Sequence, residues 1–78
     1  MRSQKNFDVE IQNILSEIAN LKQGLNLGLV SAQSCIDHLQ SCINTRLSIL
    51  QLTFKDDEKF KLCVLECSLF LALLSNRQ

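Results

Sequence analysis

The chain has 78 residues with eight basic and eight acidic side chains, so its formal net charge is zero. A chain of this length is expected to form one domain, 1–78, which buries only roughly 60% of the surface exposed on unfolding. Balanced charge without a basic stripe excludes the electrostatic footprint of a nucleic-acid binder or a polybasic membrane anchor. Without an apolar leader or an apolar run of about 20 residues, we expect a cytoplasmic protein with reduced thiols.

Helical periodicity runs through nearly the whole sequence, which has no proline and only two glycines. We therefore predict an all-α fold with helices near 6–23, 31–52 and 55–75. The architecture is expected to be a small three-helix bundle, or a helical hairpin with a coiled-coil-like N-terminal helix, and to be oligomeric. Gly24 and Gly28 indicate a break after the first helix, with a continuous kinked helix as the alternative.

The first helix carries a narrow apolar stripe. Its members recur in steps of four and three residues: Phe7, Ile11, Ile14, Ile18, Leu21 and Leu25. Because nearly all intervening residues are polar, the pattern is typical of a coiled-coil seam. It is compatible with packing inside a bundle and with docking onto a partner, and in the second case Ile11, Ile14 and Ile18 are expected to be contacts.

The second helix is expected to begin at Ser31 as its N-cap. Its core-facing positions are Ile36, Leu39, Ile43, Leu47 and Leu50, with Cys35, Cys42 and Ile49 widening the stripe on one edge. Thr53 is then the expected N-cap of the third helix, because acidic residues at 56–58 would occupy the first turn. A connection this short predicts that the second and third helices form an antiparallel hairpin.

The third helix is the most apolar part of the chain, and Leu69–Leu74 is an unbroken apolar run. A helix that is hydrophobic all round must be buried all round, and two short helices cover only part of it. We therefore predict a non-enzymatic protein–protein interaction module, such as an adaptor, assembly subunit or co-chaperone. It would bury this helix against a protein partner or a second copy, with membrane association of the helix as a less favoured alternative. Core and interface positions are expected among Phe60, Val64, Phe70, Leu71 and Leu74.

Four cysteines and one histidine fall on the second and third helices. Cys35, His38 and Cys42 share one helical face, and Cys63 and Cys67 share another. The favoured interpretation is that the thiols pack as small hydrophobes, that His38 is partly exposed, and that no metal or other cofactor is bound. The alternatives are a Cys42–Cys67 disulfide, or a Zn²⁺ or Cu(I) site formed by all five residues.

The cysteine spacing loosely resembles that of the cysteine-lined four-helix bundles that store Cu(I). Those proteins carry C-x2-C-x3-C on one helix and C-x3-C on the next, and in this chain His38 takes the middle position of the first motif. The resemblance implies soft-metal ligands between two helices. Those bundles have many more cysteines, so it does not imply a large copper store.

The sequence lacks the signatures of an enzyme. The segment 24–28 has neither the spacing nor the lysine of a phosphate-binding loop, and a His38–Cys42 pair has no accompanying oxyanion-hole pattern. Glu66 is the one acid inside the most apolar helix. We expect it to face solvent or to pair with a base such as Arg46.

Overall fold

Three helices make up the fold. The computed structural model describes residues 4–77, with side chains for 6–76. Helix α1 spans Gln4–Asn26 and helix α3 spans Glu58–Arg77. Between them lies α2, a continuous helix composed of an α-helical segment Ala32–Cys42, a π-helical turn Ile43–Leu47 and an α-helical segment Ser48–Phe54. Residues 4–77 contain no strand, so the prediction of an all-α fold is confirmed.

Ion pairs between the helices establish their directions. Lys59 Nζ lies 3.1 Å from Asp8 Oδ1, and Lys22 Nζ lies 3.6 Å from Glu66 Oε2, so residue numbers rise together along α1 and α3. These two helices are therefore parallel. Helix α2 runs against both of them, because Arg46 reaches Glu10 and Glu17 whereas His38, two turns earlier, reaches only Glu17. The resulting bundle measures 41 × 18 × 18 Å, and α1 packs along the hairpin.

Helix α1 continues through Gly24 and ends in a glycine-dependent turn. Gly28 adopts a positive φ of 76°, which a residue with a Cβ rarely adopts. The Leu29 N–H donates to the Gly24 carbonyl at 2.8 Å and the Gly28 N–H donates to the Leu25 carbonyl at 3.2 Å. This pair of bonds is a Schellman motif. The kinked-helix alternative is therefore wrong, and the break begins after Asn26.

Helix α2 begins where the sequence predicts. Ser31 has an extended backbone conformation, and its hydroxyl accepts the Ser34 N–H at 3.0 Å. It therefore satisfies one of the amide groups that a helix leaves unpaired at its start.

The π-helical turn changes which residues of α2 face the core. In a regular α-helix, the residues four and seven positions after Cys42 would share its face, and these are Arg46 and Ile49. The turn adds one residue to the helical period, so Leu47 and Leu50 take those positions and are buried. Arg46 is consequently free to form ion pairs with α1. Ile49 is 57% exposed, so the prediction that it widens the core stripe is wrong.

The connection between α2 and α3 lies further along the chain than predicted. Helix α2 continues through Thr53 to Phe54, so Thr53 is not the N-cap of α3. Asp57 has that role, since its Oδ1 accepts the N–H of Lys59 at 2.8 Å and that of Phe60 at 3.3 Å. Stacking between the rings of Phe54 and Phe7, with centroids 4.0 Å apart, explains why α2 continues two residues beyond its predicted end. Ending α2 at 52 would remove Phe54 from this contact.

The core lies along the bundle axis and draws on all three helices. Its buried members are Phe7, Ile11, Ile14, Ile18, Cys35, Ile36, Leu39, Cys42, Leu47, Leu50, Phe60, Cys63, Cys67, Phe70 and Leu74. The narrow stripe of α1 is wide enough to fill its part of the core, because each helix of a three-helix bundle buries only the face that lies toward its two neighbours. No buried side-chain nitrogen or oxygen lacks a hydrogen-bond partner within the described residues. No polar or charged residue among the described side chains is buried, so the interior is apolar apart from its thiols.

Candidate interaction surface

Helix α3 uses one heptad-like stripe for the core of the bundle. The buried residues follow steps of three and four: Phe60, Cys63, Cys67, Phe70 and Leu74. Val64 and Leu71 are half-buried beside them and pack against the core. This face supplies all the buried side chains that α3 contributes to the core of the bundle.

A second apolar stripe lies on the outward side of α3. It consists of Leu62, Leu65, Leu69 and Leu73, which are 59%, 51%, 53% and 61% exposed, and we call it the leucine stripe. Steps of three, four and four residues place these side chains next to one another on one helical face. The stripe is about 16 Å long at the helical rise of 1.5 Å per residue.

The outward faces of the other two helices differ sharply from that of α3. On α1 the exposed positions include Gln12, Asn13, Ser16, Asn20 and Gln23, with Val9 as the exposed large apolar side chain. On α2 they include Gln33, Asp37, Gln40, Ser41, Asn44, Ser48 and Gln51, with Ile49 and Leu52 near the C-terminal end. Isolated apolar side chains on a surface are normal, whereas a contiguous row indicates a contact surface. Only α3 carries such a row among the described helices.

Charged residues border the leucine stripe on both sides. On the side of α1, Glu66 pairs with Lys22, and both side chains remain about half exposed. The ammonium of Lys22 also lies 5.5 Å from the centre of the Phe70 ring. On the opposite side lies Lys61, an exposed residue that directly precedes Leu62 in the sequence. The stripe therefore has an apolar centre and a charged rim, as protein–protein interfaces do.

The residues singled out from sequence are mostly in the core. Six of the eight expected to include partner contacts are buried within the chain: Ile11, Ile14, Ile18, Phe60, Phe70 and Leu74. The other two, Val64 and Leu71, are half-buried. The sequence prediction treated α3 as a whole and did not separate its buried face from its exposed face. The signal that was present is the spacing of Leu62, Leu65, Leu69 and Leu73.

Three of the four cysteines meet in the core. Cys42, Cys63 and Cys67 form what we call the thiol cluster, in which a hydrogen bond joins Cys63 and Cys67. Burial, followed by the proximity of Cys67, raises the pKa of Cys42. The hydrogen bond to Cys63, and then burial, raises the pKa of Cys67. These two thiols therefore stay protonated at neutral pH and pack as small hydrophobes.

The other two residues of the metal hypothesis lie apart from the thiol cluster. The Cys35 thiol donates to the Leu21 carbonyl at 3.9 Å, and burial raises its pKa. His38 is about half exposed, as expected, with its Nε2 at 3.0 Å from Glu17 Oε1. All four cysteines are free thiols, so the structure contains no Cys42–Cys67 disulfide. In the part of the chain that is described, no three His, Cys, Asp or Glu side chains are arranged to hold a metal ion.

A charged cluster on the surface connects α1 to α2. Arg46 Nη1 donates to Glu17 Oε2 at 2.6 Å, and its Nη2 lies 3.9 Å from Glu10 Oε1. The hydrogen bond from Arg46 lowers the pKa of Glu17, against a smaller opposing effect of burial. Glu66 faces solvent, as expected, but the base that it pairs with is Lys22, so the suggested Arg46–Glu66 pair is wrong.

The surface has shallow hollows between the helices. One of about 360 Å³ lies beside the π-helical turn and is lined by Ile43, Asn44, Leu47, Ser48, Gln51, Phe60 and Val64. Another of about 270 Å³ adjoins the end of the leucine stripe, where Leu73 contributes to its wall together with Lys22, Leu25, Asn26, Phe70 and Leu74. Neither of these two hollows contains a pair of titratable residues, whereas a third, of about 290 Å³, is lined by the ion-paired Asp8 and Lys59.

Comparison with other proteins places no restriction on function. No protein family, curated protein or solved structure was found to match the chain. Within residues 4–77, none of the helices combines the length and the apolarity needed to cross a membrane. The leucine stripe is the contiguous row of exposed apolar side chains on the described helices.

Proposed function

We propose that the chain is a non-enzymatic protein–protein interaction module that binds through the leucine stripe. The observation that carries the proposal is the exposure of Leu62, Leu65, Leu69 and Leu73 on a helix whose opposite face already fills the core. A module of this kind acts as an adaptor, an assembly subunit or a co-chaperone. Its mechanism is the burial of this one helical face against a protein surface.

Burial of the leucine stripe would make a sizeable contribution to association. Each leucine of the stripe leaves about half of its surface in water. Full burial of a leucine contributes roughly 1.5–3 kcal/mol, so covering the exposed half contributes about 0.8–1.5 kcal/mol per residue. Four such residues contribute about 3–6 kcal/mol on this chain alone, before the partner's own apolar surface is added. The loss of translational and rotational freedom on binding costs about 4–15 kcal/mol, so a stable complex also requires the contribution of the partner's surface.

The proposal is tested by hydroxyl-radical footprinting, which labels exposed side chains, inside cells that express the protein. The same labelling on dilute purified protein gives the reference for the uncovered surface. We expect the four stripe leucines to be protected in cells relative to the dilute protein. Ile49 is the internal control, because it has similar exposure but lies on α2.

The comparison between the stripe and Ile49 decides the outcome. If the stripe leucines are labelled in cells as strongly as in the dilute protein, nothing covers them and the proposal is wrong. Equal protection of Ile49 and the stripe would indicate general crowding or aggregation, which also contradicts a specific surface.

A further inference from the structure

The leucine stripe belongs to a regular heptad repeat. Starting from Leu62 and continuing in steps of three, four, three and four, the outward positions of α3 are Leu62, Leu65, Leu69, Ala72 and Asn76, all of them exposed. These are the a and d positions of two consecutive heptads and the a position that follows them, with Leu73 immediately beside the seam. Helix α3 therefore carries two seams, one used within the bundle and one directed outward.

We propose that the occupant of the outward seam is a second copy of this chain, with the two α3 helices parallel and in register. This inference rests on the proposed function and names its partner. A two-fold axis along the seam would place each residue level with its own copy. The order of charges along the rim supports this arrangement.

Charge complementarity favours the parallel pairing. In a parallel coiled coil, the g position of one heptad faces the e position of the following heptad on the partner helix. With Leu62 at an a position, Lys61 occupies g and Glu66 occupies e, so each copy's Lys61 faces the other copy's Glu66. Two symmetric ion pairs result. Glu66 is half exposed and pairs with Lys22 through only one oxygen, so its carboxylate remains accessible to a second lysine.

The antiparallel arrangement lacks this complementarity. In an antiparallel pair, the a positions of one helix face the d positions of the other, and the e positions of the two helices face each other. Glu66, at an e position, then lies opposite the Glu66 of the second copy. Lys61 then lies opposite the uncharged Ser75. Like charges across an interface disfavour an orientation, and opposite charges favour one.

Asn76 adds a second argument for the parallel register. It occupies the last a position of the seam and is exposed in the single chain. In a parallel pair the two Asn76 amides meet at the same level and can hydrogen-bond to each other. A single asparagine at an a position is a known determinant of register and strand number in coiled coils, at some cost in stability.

The pairing is tested by charge reversal and sedimentation equilibrium over a range of concentrations. Lys61→Glu and Glu66→Lys each replace two attractive contacts with two repulsive ones. We expect each to weaken the dimer about tenfold, and the double variant to restore most of the affinity. Lys55→Glu, an exposed lysine preceding α3, is the matched control and should leave association unchanged. Circular dichroism checks that every variant remains helical.

Orientation is tested separately by cross-linking. Asn76→Cys should form an intermolecular disulfide when oxidised glutathione is added, because a parallel dimer brings the two positions together. The wild-type chain, whose own cysteines are buried, is the control and should not cross-link.

The outcomes separate this inference from the proposed function. A dimer that tolerates charge reversal and does not cross-link at position 76 overturns the parallel arrangement. A chain that stays monomeric at every concentration overturns self-association. In the first case, protection of the stripe in cells would still support an interaction module that pairs with its own copy in another arrangement, and in the second case it would support one that binds a different protein.

Discussion

The division of α3 into a core face and an outward face predicts very different costs for the same substitution. Leu74 is 0% exposed, and truncation of a fully buried leucine to alanine destabilises by about 2–5 kcal/mol. Leu69 lies on the same helix but is 53% exposed. Because it buries only about half of its surface and alanine is the better helix former, Leu69→Ala should cost less than about 1 kcal/mol.

The difference is large compared with the stability of the whole molecule. A core of this size rarely supplies more than about 3–5 kcal/mol. Leu74→Ala is therefore expected to leave the chain largely unfolded at room temperature, whereas Leu69→Ala stays folded. Urea denaturation followed by far-ultraviolet circular dichroism measures both free energies of unfolding. Low protein concentration is needed, because self-association would add a concentration-dependent contribution to stability.

The two variants also control for each other, since they share the helix, the chemistry and the change in side-chain volume. Equal destabilisation by both at low concentration would contradict the assignment of Leu69 to the surface. Little effect of Leu74→Ala would contradict the assignment of Leu74 to the core. A cost of Leu69→Ala that grows with protein concentration would instead support burial of the stripe between copies.

The remaining predictions concern acid stability, the turn after α1 and metal. Arg46 lowers the pKa of Glu17 below its ordinary value of 4.5. The Glu17 carboxylate therefore stabilises the fold fully when the pH is above 4.5, and this stabilisation is lost as the pH falls through the lowered pKa. Glu17→Gln should therefore reduce stability by less than about 1 kcal/mol at neutral pH and flatten the decline below pH 4.5, as seen in thermal melts across pH; an unchanged acid decline would contradict this. Gly28→Ala should destabilise by about 1 kcal/mol because of the positive φ, and Gly28→Asn by less, as measured by urea denaturation; equal costs would show that the left-handed conformation is not responsible. EDTA and a Cu(I) chelator should leave the melting temperature unchanged, and a fall in melting temperature would revive the metal hypothesis.

The helices and their ends were predictable to the extent that local chemistry determines them. The stripe of α1 fixes its buried face, and Ser31 caps α2 as expected because a serine hydroxyl satisfies a helix N-terminus wherever it occurs. Gly28 ends α1 because the left-handed turn needs a residue without a Cβ. The choice between Thr53 and Asp57 as a cap was different. Both are good capping residues, and the contact of Phe54 with Phe7 determined which one is used.

The periodicity of the sequence did not predict the π-helical turn. Periodicity did predict the burial of Leu47 and Leu50, but it did not predict that Ile49 would be exposed and that Arg46 would pair with α1. A helix interior tolerates this irregular turn because the packing of two leucines and an ion pair compensate for it. The sequence pattern alone is equally compatible with a straight helix that buries Ile49, so no local signal distinguishes the two.

For the candidate surface, the sequence by itself determined that the third helix has more apolar side chains than one bundle can bury. It also contained Lys61 and Glu66, the charges on which the proposed parallel pairing rests. Only the tertiary structure decided which leucines remain outside. An all-apolar run such as Leu69–Leu74 has no polar face to mark its exposed side, so its orientation depends on where α1 and α2 pack. Those helices cover Phe70 and Leu74 and leave Leu69 and Leu73 in water.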